Sequence, residues 1–410
     1  MQTGRRRDQR RRPLITYAEH MEMMMQSPWN RYLMIAALAL APAVASQAAE
    51  TSFTLDDGAM MEWDDDRYVR LGGRIHYDVA RYSDDVTLLE DDQDFRRARL
   101  ILRAGYDDWQ FRADYDLGLV DGWRSLYVRY GGWKRVRVTV GNQVAPFSLD
   151  ELSSSNDLAL MERSLASALS PAMLTGASAR TWGSNWSATA GVFGNELSDL
   201  DRRAVDGNSI IGRFTYAPIR KRRQVLHFGI AHEYRSVDSN ADVRIRARPE
   251  SRLANERLVD TRSLAGIDSL STTGLEVMGI LDNVRLQGEY MFMSLDGGSE
   301  AADFSGGYAQ ASWLVTGERY RYSRSRGVPT AVRPKGDWGA LEFSLRYSML
   351  DLDDGVVTGG EQTQVTAAVS LYWNEHLRTS LNYSRYDAAP NRDGIDEDGS
   401  ILMFRFQAAL

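Results

Sequence analysis

The sequence has no cysteine, very few lysines and no long apolar run beyond its N-terminal region. Without cysteine, neither a disulfide framework nor a thiolate metal site is possible, and no metal or cofactor site is predicted. The only lysines are Lys134, Lys221 and Lys335, so nearly all cations are arginines. Beyond residue 50 no stretch reaches the roughly 20 apolar residues of a membrane-spanning helix. A mean hydropathy of −0.40 fits a soluble β-rich protein and a transmembrane β-barrel equally well, because polar lumen residues lower the mean of a barrel.

The N-terminal region carries an export signal. Arg31 precedes the apolar run "YLMIAALALAPAVA", which is followed by "SQAAE", and this order of basic, apolar and small residues is typical of a cleaved signal peptide. We therefore expect residues 1–49 to be an N-terminal extension with a signal peptide, cut between Ala45 and Glu50. Residues 50–66 are then a short mature segment. A membrane anchor is the alternative, but the run is too short to span a bilayer comfortably.

Without residues 1–49 the chain is acidic. It then contains 42 basic and 53 acidic side chains, a net charge of about −11. Nucleic acid is therefore not a predicted partner, because domains that bind nucleic acid usually carry a basic excess. Any cationic surface must come from a local arrangement of arginines.

Residues 67–410 repeat one pattern, in which about ten residues of apolar and polar alternation are followed by a turn. In "FRRARLILRAGYDDWQFRADYDLG", Arg97, Arg99 and Arg103 fall on one face, leucines and alanines fall on the other, and the alternation resumes after Asp107–Asp108. A period of two predicts a β-hairpin, since a helix would scatter these residues around its circumference. About sixteen such segments predict an all-β fold, a transmembrane antiparallel β-barrel of about sixteen strands.

The connections also alternate in length. Tight turns such as Asp282–Asn283 alternate with long polar loops such as Gln143–Ser184 and Ser236–Asp268, as in outer-membrane barrels. The sixteen predicted strands include "RYRYSRS" but none within Gln143–Ser184. Aromatic residues at the ends of predicted strands match the belts that contact lipid at membrane interfaces: Tyr130, Trp133, Tyr372, Trp373 and Tyr383. We therefore expect a location in the outer membrane of a Gram-negative bacterium. A soluble β-sandwich is the alternative, and it does not explain the length of both faces.

The face that bears the arginines is predicted to be the inner one. An outward arginine at mid-depth costs about 2–4 kcal/mol in a bilayer, whereas an inward arginine lines water and offers a fixed, charged fork to oxyanions. The alternation predicts a lumen track for anions from nine arginines on the first five strands: Arg70, Arg74, Arg97, Arg99, Arg103, Arg112, Arg129, Arg135 and Arg137. Asp78, Asp114 and Asp116 share that wall, so internal salt bridges that stiffen the barrel are the alternative.

Several segments resemble the phosphate-selective porin O/P family. They include "VRLGGRIHYDVARYSDD", "FRRARLILRAG", "VGNQVAPFSLDELSSSNDLALMERSLASALSP", "LQGEYMFM", "YAQASWLVTGERYRY" and "LYWNEHLRTSLNY", and together they extend over residues 67–410. The resemblance implies a sixteen-stranded outer-membrane porin that assembles as a homotrimer. It also implies a passive, water-filled channel whose solutes are small anions such as phosphate or polyphosphate.

The resemblance further implies an inward-folded constriction loop, which falls here on Gln143–Ser184. Its predicted constriction residues are Pro146, Phe147, Asp150, Glu151, Met161, Glu162, Arg163 and Arg180. The family associates lysines with this constriction, and this segment contains none. A general, weakly selective diffusion porin is therefore the alternative to a phosphate-selective one.

Other chemistry has little support in the sequence. His76 lies two residues from Asp78 on the predicted lumen face, but such a pair is more often a pore-lining ion pair than part of a catalytic site. No catalytic residue is predicted, and a barrel enzyme or a structural barrel is the less favoured alternative. The acidic "NRDGIDEDG" lacks the spacing of an EF-hand and is interpreted as a solvated loop. The basic "GERYRYSRSRG" is interpreted as an exposed loop, with an anion vestibule as its alternative.

Overall fold

The fold is built from long antiparallel strands joined by turns and loops. The computed structural model describes residues 52–54, 58–64, 66–198 and 203–410, and the predicted signal peptide lies outside them. Within this part of the chain, no helix is long and apolar enough to cross a membrane.

Sixteen strands form the wall. They are β1 (Arg67–Ser83), β2 (Asp92–Tyr106), β3 (Trp109–Asp116), β4 (Gly122–Tyr130), β5 (Val136–Val144), β6 (Met173–Trp182), β7 (Trp186–Phe193), β8 (Gly207–Lys221), β9 (Gln224–Val237), β10 (Ser269–Leu281), β11 (Val284–Asp296), β12 (Ala302–Leu314), β13 (Ala340–Asp354), β14 (Val357–Tyr372), β15 (Leu377–Ala388) and β16 (Glu397–Ala409). Each strand pairs with its neighbour in the chain, and β16 pairs with β1, with Arg405 opposite Asp78. The sheet therefore closes on itself, which confirms the predicted sixteen-stranded antiparallel barrel.

Alternation along the strands separates an outer from an inner face. The outward Leu71 and Leu100 are each 51% exposed, whereas the inward His76 and Arg97 are 0% and 2% exposed. Apolar side chains on the outside and polar ones on the inside are the arrangement that lipid around a water-filled barrel requires.

The predicted number of strands is correct because two errors compensate. The segment Met173–Trp182 is a wall strand, although the sequence interpretation treats it as loop. Its outward residues include Thr175, Ala177 and Ala179, which are too small or too polar to give a clear apolar period. Conversely, within the predicted strand "RYRYSRS" only Arg321–Ser323 is extended, and it pairs with Val328–Thr330 in a small hairpin outside the wall.

Three of the loops that the structure describes in full fold into the barrel, and we call them the first (145–172), second (238–268) and third (315–339) inserted loops. The first contains a short helix, Leu149–Leu152, and a 3₁₀ turn, Leu165–Ala168. The remaining short strands are Ser52–Thr54, Ala59–Asp64 beside β1, Arg203–Ala204, Arg244–Ala247 and Val259–Asp260, the last three forming a separate small sheet. The loops pack on inward wall residues, for example Ala166 and Ile245 in one apolar cluster with Met291.

The third inserted loop is an exception to the predicted asymmetry of the barrel ends. It connects β12 to β13 at the same end as the tight turns Asp107–Asp108 and Asp282–Asn283. Its Tyr320 and Val328 are buried in a cluster with Tyr372 of β14. Tyr372 therefore faces inward, and its assignment to an outward aromatic belt is corrected, whereas Trp133 and Trp373 are 57% and 51% exposed.

Candidate functional site

The lumen contains a cavity of about 450 Å³ whose lining is rich in arginine. Seven lining arginines come from the first four strands: Arg74, Arg96, Arg97, Arg99, Arg103, Arg112 and Arg124. Six come from the inserted loops: Arg163, Arg246, Arg248, Arg252, Arg257 and Arg326. The lining carboxylates are Asp114, Glu151, Glu162 and Glu250. Because a guanidinium group stays charged and presents several donors, such a lining attracts and orients oxyanions.

The structure separates the nine predicted track arginines by position. Five line the large cavity: Arg74, Arg97, Arg99, Arg103 and Arg112. Arg70 and Arg103 line a second cavity of about 220 Å³ near the tight turns. Arg129 and Arg137 are on the wall outside both cavities, where Arg129 donates a hydrogen bond to Thr139 Oγ1 at 3.1 Å.

Arg135 is not on a strand, which corrects its predicted place on the wall. It lies exposed in the turn before β5 with a φ of 59°. This left-handed conformation belongs to the turn, and β5 begins one residue later at Val136. The prediction therefore extends the alternation of "KRVRV" too far into the turn.

Some track arginines are paired with acids and others are not. Arg99 Nε lies 2.7 Å from Asp116 Oδ2, and Arg112 Nη2 lies 2.6 Å from Asp114 Oδ2. Arg74 donates a hydrogen bond to Ser155 Oγ at 2.9 Å. Neither Arg74 nor Arg103 forms an ion pair with any residue that the structure describes. Salt bridges that stiffen the wall and arginines that face the cavity thus coexist.

Irregularities in the strands add two arginines that alternation does not predict. Arg96 is the extra residue of a β-bulge in β2, and its guanidinium donates to both Glu162 carboxylate oxygens, at 2.7 and 2.9 Å. A register shift between β3 and β4 lies next to Arg124, which is buried beside Ser125 and lies 3.7 Å from Asp116. At such sites adjacent residues both face inward, which a strict period of two cannot show.

The inserted loops supply lining residues that sequence reasoning also misses. Arg246 and Arg248 belong to the alternating "RIRAR" of the second inserted loop, a signal that is present in the sequence but unused in the prediction. In "GERYRYSRSRG", Arg326 is exposed, as the interpretation as an exposed loop expects, and it also lines the large cavity. Its position therefore fits the alternative, an anion vestibule, as well.

The first inserted loop contains seven of the eight predicted constriction residues: Pro146, Phe147, Asp150, Glu151, Met161, Glu162 and Arg163. Phe147 and Met161 are 0% and 2% exposed and fix the loop by packing, whereas Glu151, Glu162 and Arg163 line the cavity. Arg180 is on β6, where it pairs with Arg137 of β5. The predicted range Gln143–Ser184 is therefore corrected to 145–172, because its ends belong to β5 and β6.

Charged groups of the wall hold the first inserted loop in place. Arg405 of β16 binds both carboxylate oxygens of Asp78 at 2.6 Å, Glu162 Oε1 at 2.7 Å and the Met161 carbonyl at 2.5 Å. Five strands away around the wall, Glu289 of β11 accepts a hydrogen bond from the Leu149 N–H at 2.6 Å. The loop is thus attached to separate parts of the wall.

Two acids of this loop are in contrasting environments. Burial by itself raises the pKa of Glu162, but the neighbouring Arg96, Arg97 and Arg405 outweigh burial and hold this pKa well below its usual range. At Asp157 burial is the stronger effect and raises the pKa despite the surrounding arginines. Glu162 therefore acts as a permanently charged anchor, whereas Asp157 is the more easily protonated group.

The His76 and Asp78 side chains are held by other residues. His76 Nε2 lies 3.1 Å from Asn156 Oδ1, and His76 Nδ1 lies 3.1 Å from Arg97 Nη1. Asp78 is bound by Arg405. No group of three or more His, Asp or Glu side chains suited to a metal ion occurs in the part of the chain that the structure describes.

Comparisons with known proteins agree with this geometry. The model of the family "Phosphate-selective porin O and P" matches residues 69–410. Porin O of Pseudomonas aeruginosa is 26% identical, over 92% of this chain and 96% of that protein. The solved structure of an anion-selective porin from Comamonas acidovorans has a TM-score of 0.51 at 14% identity, over 83% of this chain and 99% of that one. OmpT, an outer membrane protein of Vibrio cholerae, has a TM-score of 0.51 at 11% identity, over 84% and 100%. At these identities, the two structures support the fold alone.

Proposed function

We propose, from the premise that the chain belongs to the phosphate-selective porin O and P family, that it forms a passive, water-filled channel that passes small anions in preference to cations. The chain is an outer-membrane porin of a Gram-negative bacterium, as its family and its closed barrel require. The preference for anions is our inference from the lumen.

One observation carries this proposal, namely that thirteen arginines and four carboxylates line the same cavity. The mature chain is acidic as a whole, so the positive lumen is a local arrangement and not a result of the bulk charge. Low-dielectric walls focus the field of such a lining, which raises the local concentration of anions and lowers that of cations. Successive guanidinium groups then pass an anion from one fork to the next.

Phosphate or polyphosphate is the proposed physiological solute. The support comes from the family's description and from arginine chemistry, since two parallel N–H donors of a guanidinium match two oxygens of a phosphate. The lysine-free first inserted loop favours a second candidate, a general anion channel with weak preference among anions. The two candidates differ in whether phosphate competes with chloride inside the lumen.

The test is the reversal potential of the purified channel in planar bilayers across a KCl gradient. We expect a potential of the sign that chloride permeation gives, and a chloride current that micromolar to millimolar phosphate reduces. A potential of the opposite sign would refute the anion preference. A chloride current that phosphate leaves unchanged would leave the general anion channel as the function.

We further propose that the protein is not an enzyme. His76, the only described lumen histidine beside an aspartate on its own strand, is engaged by Asn156 and Arg97, and Asp78 is engaged by Arg405. Among the residues that the structure describes, no hydroxyl group is hydrogen-bonded to this histidine. Swelling of solute-loaded liposomes, in the absence of any hydrolysis of ester or peptide substrates by the same preparation, is the expected result.

A homotrimer is the proposed assembly. Strands β3 to β7 have only 8 to 10 residues, whereas β8 to β16 have 12 to 16. At about 3.3 Å per residue and a tilt of about 40°, an eight-residue strand spans about 20 Å, less than the apolar band of about 25 Å. Several outward residues of these short strands are small, such as Ala177 and Ala179 of β6 and Ala190 of β7. We assign the side of the barrel formed by the short strands β3 to β7 to contacts with other copies of the chain, as in the trimer form described for the Vibrio cholerae protein.

The assembly is tested by mass measurement in mild detergent and by single-channel recording. A trimer with three pores gives conductance steps in groups of three. The double variant Ala179→Trp and Ala190→Trp should shift the mass toward a monomer. The control is the double variant Val277→Trp and Leu345→Trp, at outward positions of the long strands β10 and β13, which should leave the mass unchanged. A monomeric mass for the unaltered protein would remove the proposal.

The domain division is also a proposal. Residues 1–49 are assigned to an extension with a signal peptide, residues 50–66 to a short mature segment, and residues 67–410 to the barrel. Its support is the order of basic, apolar and small residues before Glu50. N-terminal sequencing of protein extracted from outer membranes should give a start between residues 46 and 50.

A further inference from the structure

The end of the barrel that carries the tight turns bears all three lysines of the chain, although the chain as a whole is acidic. Lys134 lies in the turn before β5, Lys221 at the end of β8 and Lys335 in the third inserted loop, and all three are exposed. None of them lines either of the two cavities described above. In outer-membrane barrels the short turns are on the periplasmic side. These cations are therefore on the periplasmic side of the molecule and outside both cavities.

The turn between β8 and β9 contains three consecutive cations. They are Lys221, Arg222 and Arg223, which are all exposed, and we call them the basic turn. Arg223 lies 3.6 Å from Asp282, but these two side chains are 72% and 39% exposed, so solvent screens the pair. Lys221 and Arg222 form no ion pair with any residue that the structure describes. The basic turn thus presents two unpaired cations and one weakly paired cation.

Lys221 is on the outer, lipid-facing side of the wall. It pairs with Gln224 of β9, which pairs with Leu281 of β10, and residues directly opposite each other in an antiparallel sheet share a face. Leu281 is 62% exposed and faces outward, whereas its neighbour Ile280 is 4% exposed. Ile219, two residues before Lys221 with no register shift between them, is 42% exposed on the same face. The basic turn therefore adjoins apolar side chains that face lipid.

The same row of paired residues continues around the wall with aromatic side chains. Leu281 pairs with Val284, which pairs with Trp313 of β12, and Trp313 pairs with Phe343 of β13. Trp313 and Phe343 are 49% and 42% exposed. Outward tryptophan near strand ends is typical of the boundary between hydrocarbon and headgroups, and lysine and arginine beside this boundary extend their stems toward the headgroups. The basic turn is thus placed at the level of the lipid headgroups.

Cations next to lipid-facing apolar side chains suit a phospholipid. A free anion gains nothing from the apolar side chains, and an acidic soluble protein does not cover side chains that lie in hydrocarbon. A phospholipid carries its phosphate next to its acyl chains, and basic residues at a membrane surface attract lipids with a net negative charge.

We infer that the basic turn binds the headgroup of an anionic phospholipid in the periplasmic leaflet of the outer membrane, with the acyl chains on Ile219 and Leu281. This site is on the outer surface of the barrel, so it does not depend on the anion preference proposed for the lumen.

The test is native mass spectrometry of the purified channel in nonionic detergent, with phosphatidylglycerol and phosphatidylcholine added separately. We expect phosphatidylglycerol to bind more tightly. Lys221→Gln combined with Arg222→Gln should weaken the binding of phosphatidylglycerol about thirtyfold, since each basic residue near an anionic headgroup contributes a factor of about five. Binding of phosphatidylcholine should be unchanged. The matched control is Arg81→Gln combined with Arg385→Gln, which removes two exposed cations at the loop end of the wall and should leave both lipids bound as before.

Three results would overturn the inference. Equal binding of the two lipids by the unaltered channel would favour an acidic periplasmic protein as the partner of the basic turn. An equal loss in the control variant would assign the attraction to the general charge of the outer surface. Displacement of phosphatidylglycerol by inorganic phosphate at constant ionic strength would assign the basic turn to a free anion. The melting temperature of the basic-turn variant without added lipid should equal that of the unaltered channel, which separates a lost site from a misfolded barrel.

Discussion

Arginine has different tasks on the two sides of the barrel. On β8 to β16, arginines hold the inserted loops: Arg213 binds Glu276 at 2.6 Å and the Gly327 carbonyl at 2.8 Å, and Arg378 binds the Leu158 carbonyl at 2.6 Å. On the other side, Arg96 of β2 also binds a loop residue, Glu162 at 2.7 Å, but Arg74 of β1 and Arg103 of β2 face the cavity and form no ion pair with a described residue. The residue type is the same, so the position of the inserted loops decides whether an arginine supports the structure or meets the solute.

The largest expected effect comes from removing a supporting arginine. Arg405→Ala leaves the carboxylate of Asp78, which is 3% exposed, without its cation, and it removes the bond to the Met161 carbonyl and one of the two arginines that bind Glu162. An uncompensated buried charge costs about 3–5 kcal/mol. We expect the free energy of unfolding to fall by that amount in urea titrations of the refolded barrel, and channel conductance to rise as the first inserted loop is released.

The control for this change is Arg385→Ala. Arg385 also pairs with an acid, Asp398 at 3.8 Å, but the two side chains are 71% and 61% exposed. Solvent screens such a pair, which contributes less than about 1 kcal/mol. A loss at Arg405 no larger than that at Arg385 would contradict the supporting role.

The second effect is on selectivity. Arg74→Gln combined with Arg103→Gln removes two charges from the cavity wall without breaking an ion pair. At a few ångströms in a wet lumen, each charge is worth about 1 kcal/mol, which is a factor of about five, so the loss of both should lower the ratio of anion to cation permeability roughly thirtyfold. The measurement is the reversal potential in a KCl gradient, and the free energy of unfolding should change little.

Arg129→Gln combined with Arg137→Gln is the matched control. These two arginines are on the same wall but outside both cavities. If this pair lowers the permeability ratio as much as the first pair does, selectivity arises from the general charge of the wall and not from the cavity.

A change of pH is expected to have a smaller effect on the ratio of anion to cation permeability. Asp157 of the first inserted loop has a raised pKa, from burial that the cations Arg326, Arg74, Arg378 and Arg285 only partly offset. It therefore becomes neutral at a higher pH than an ordinary aspartate, whose pKa is about 3.9. As the pH falls through this raised pKa, the lumen loses a negative charge, and the anion to cation permeability ratio should rise about twofold.

The raised pKa of Asp157 also makes the stability of the folded barrel depend on pH. A raised folded-state pKa means that the ionised form of Asp157 is disfavoured in the native barrel, so its protonation as the pH falls through this pKa stabilises the fold. Asp157→Asn should start with the higher permeability ratio and show no further rise on acidification. Asp393→Asn, in an exposed loop and paired with Arg262 at 2.7 Å, should retain the pH response of the unaltered channel. A flat response in the unaltered channel would contradict the assignment.

The difference between the regular wall strands and the inserted loops explains what the sequence can and cannot predict. Alternation correctly predicts the hairpin around Asp107–Asp108, the closed barrel and the inward face of β1 and β2, because strand period and lipid exposure act on every residue locally. It misses Arg96 because a bulge breaks the period. It misses Arg246 and Arg326 because their place in the lumen depends on loops whose fold is set by distant wall contacts, such as those of Arg346 with Glu250 and of Arg213 with Gly327.

The smallest expected effect concerns Arg135, which alternation places on the track and the structure places in a turn. Its φ of 59° is in the left-handed region, where an L-residue other than glycine pays roughly 1 kcal/mol and glycine pays less. Arg135→Gly should therefore raise the free energy of unfolding by less than about 1 kcal/mol, since the greater chain entropy of glycine offsets part of the relief. Because the side chain is exposed and lines neither cavity, the permeability ratio in a KCl gradient should be unchanged. A fall in that ratio comparable to that of the Arg74 and Arg103 pair would mean that the solute meets charge at the tight-turn end before it reaches the cavity, and the distinction between wall and cavity arginines would have to include the turns.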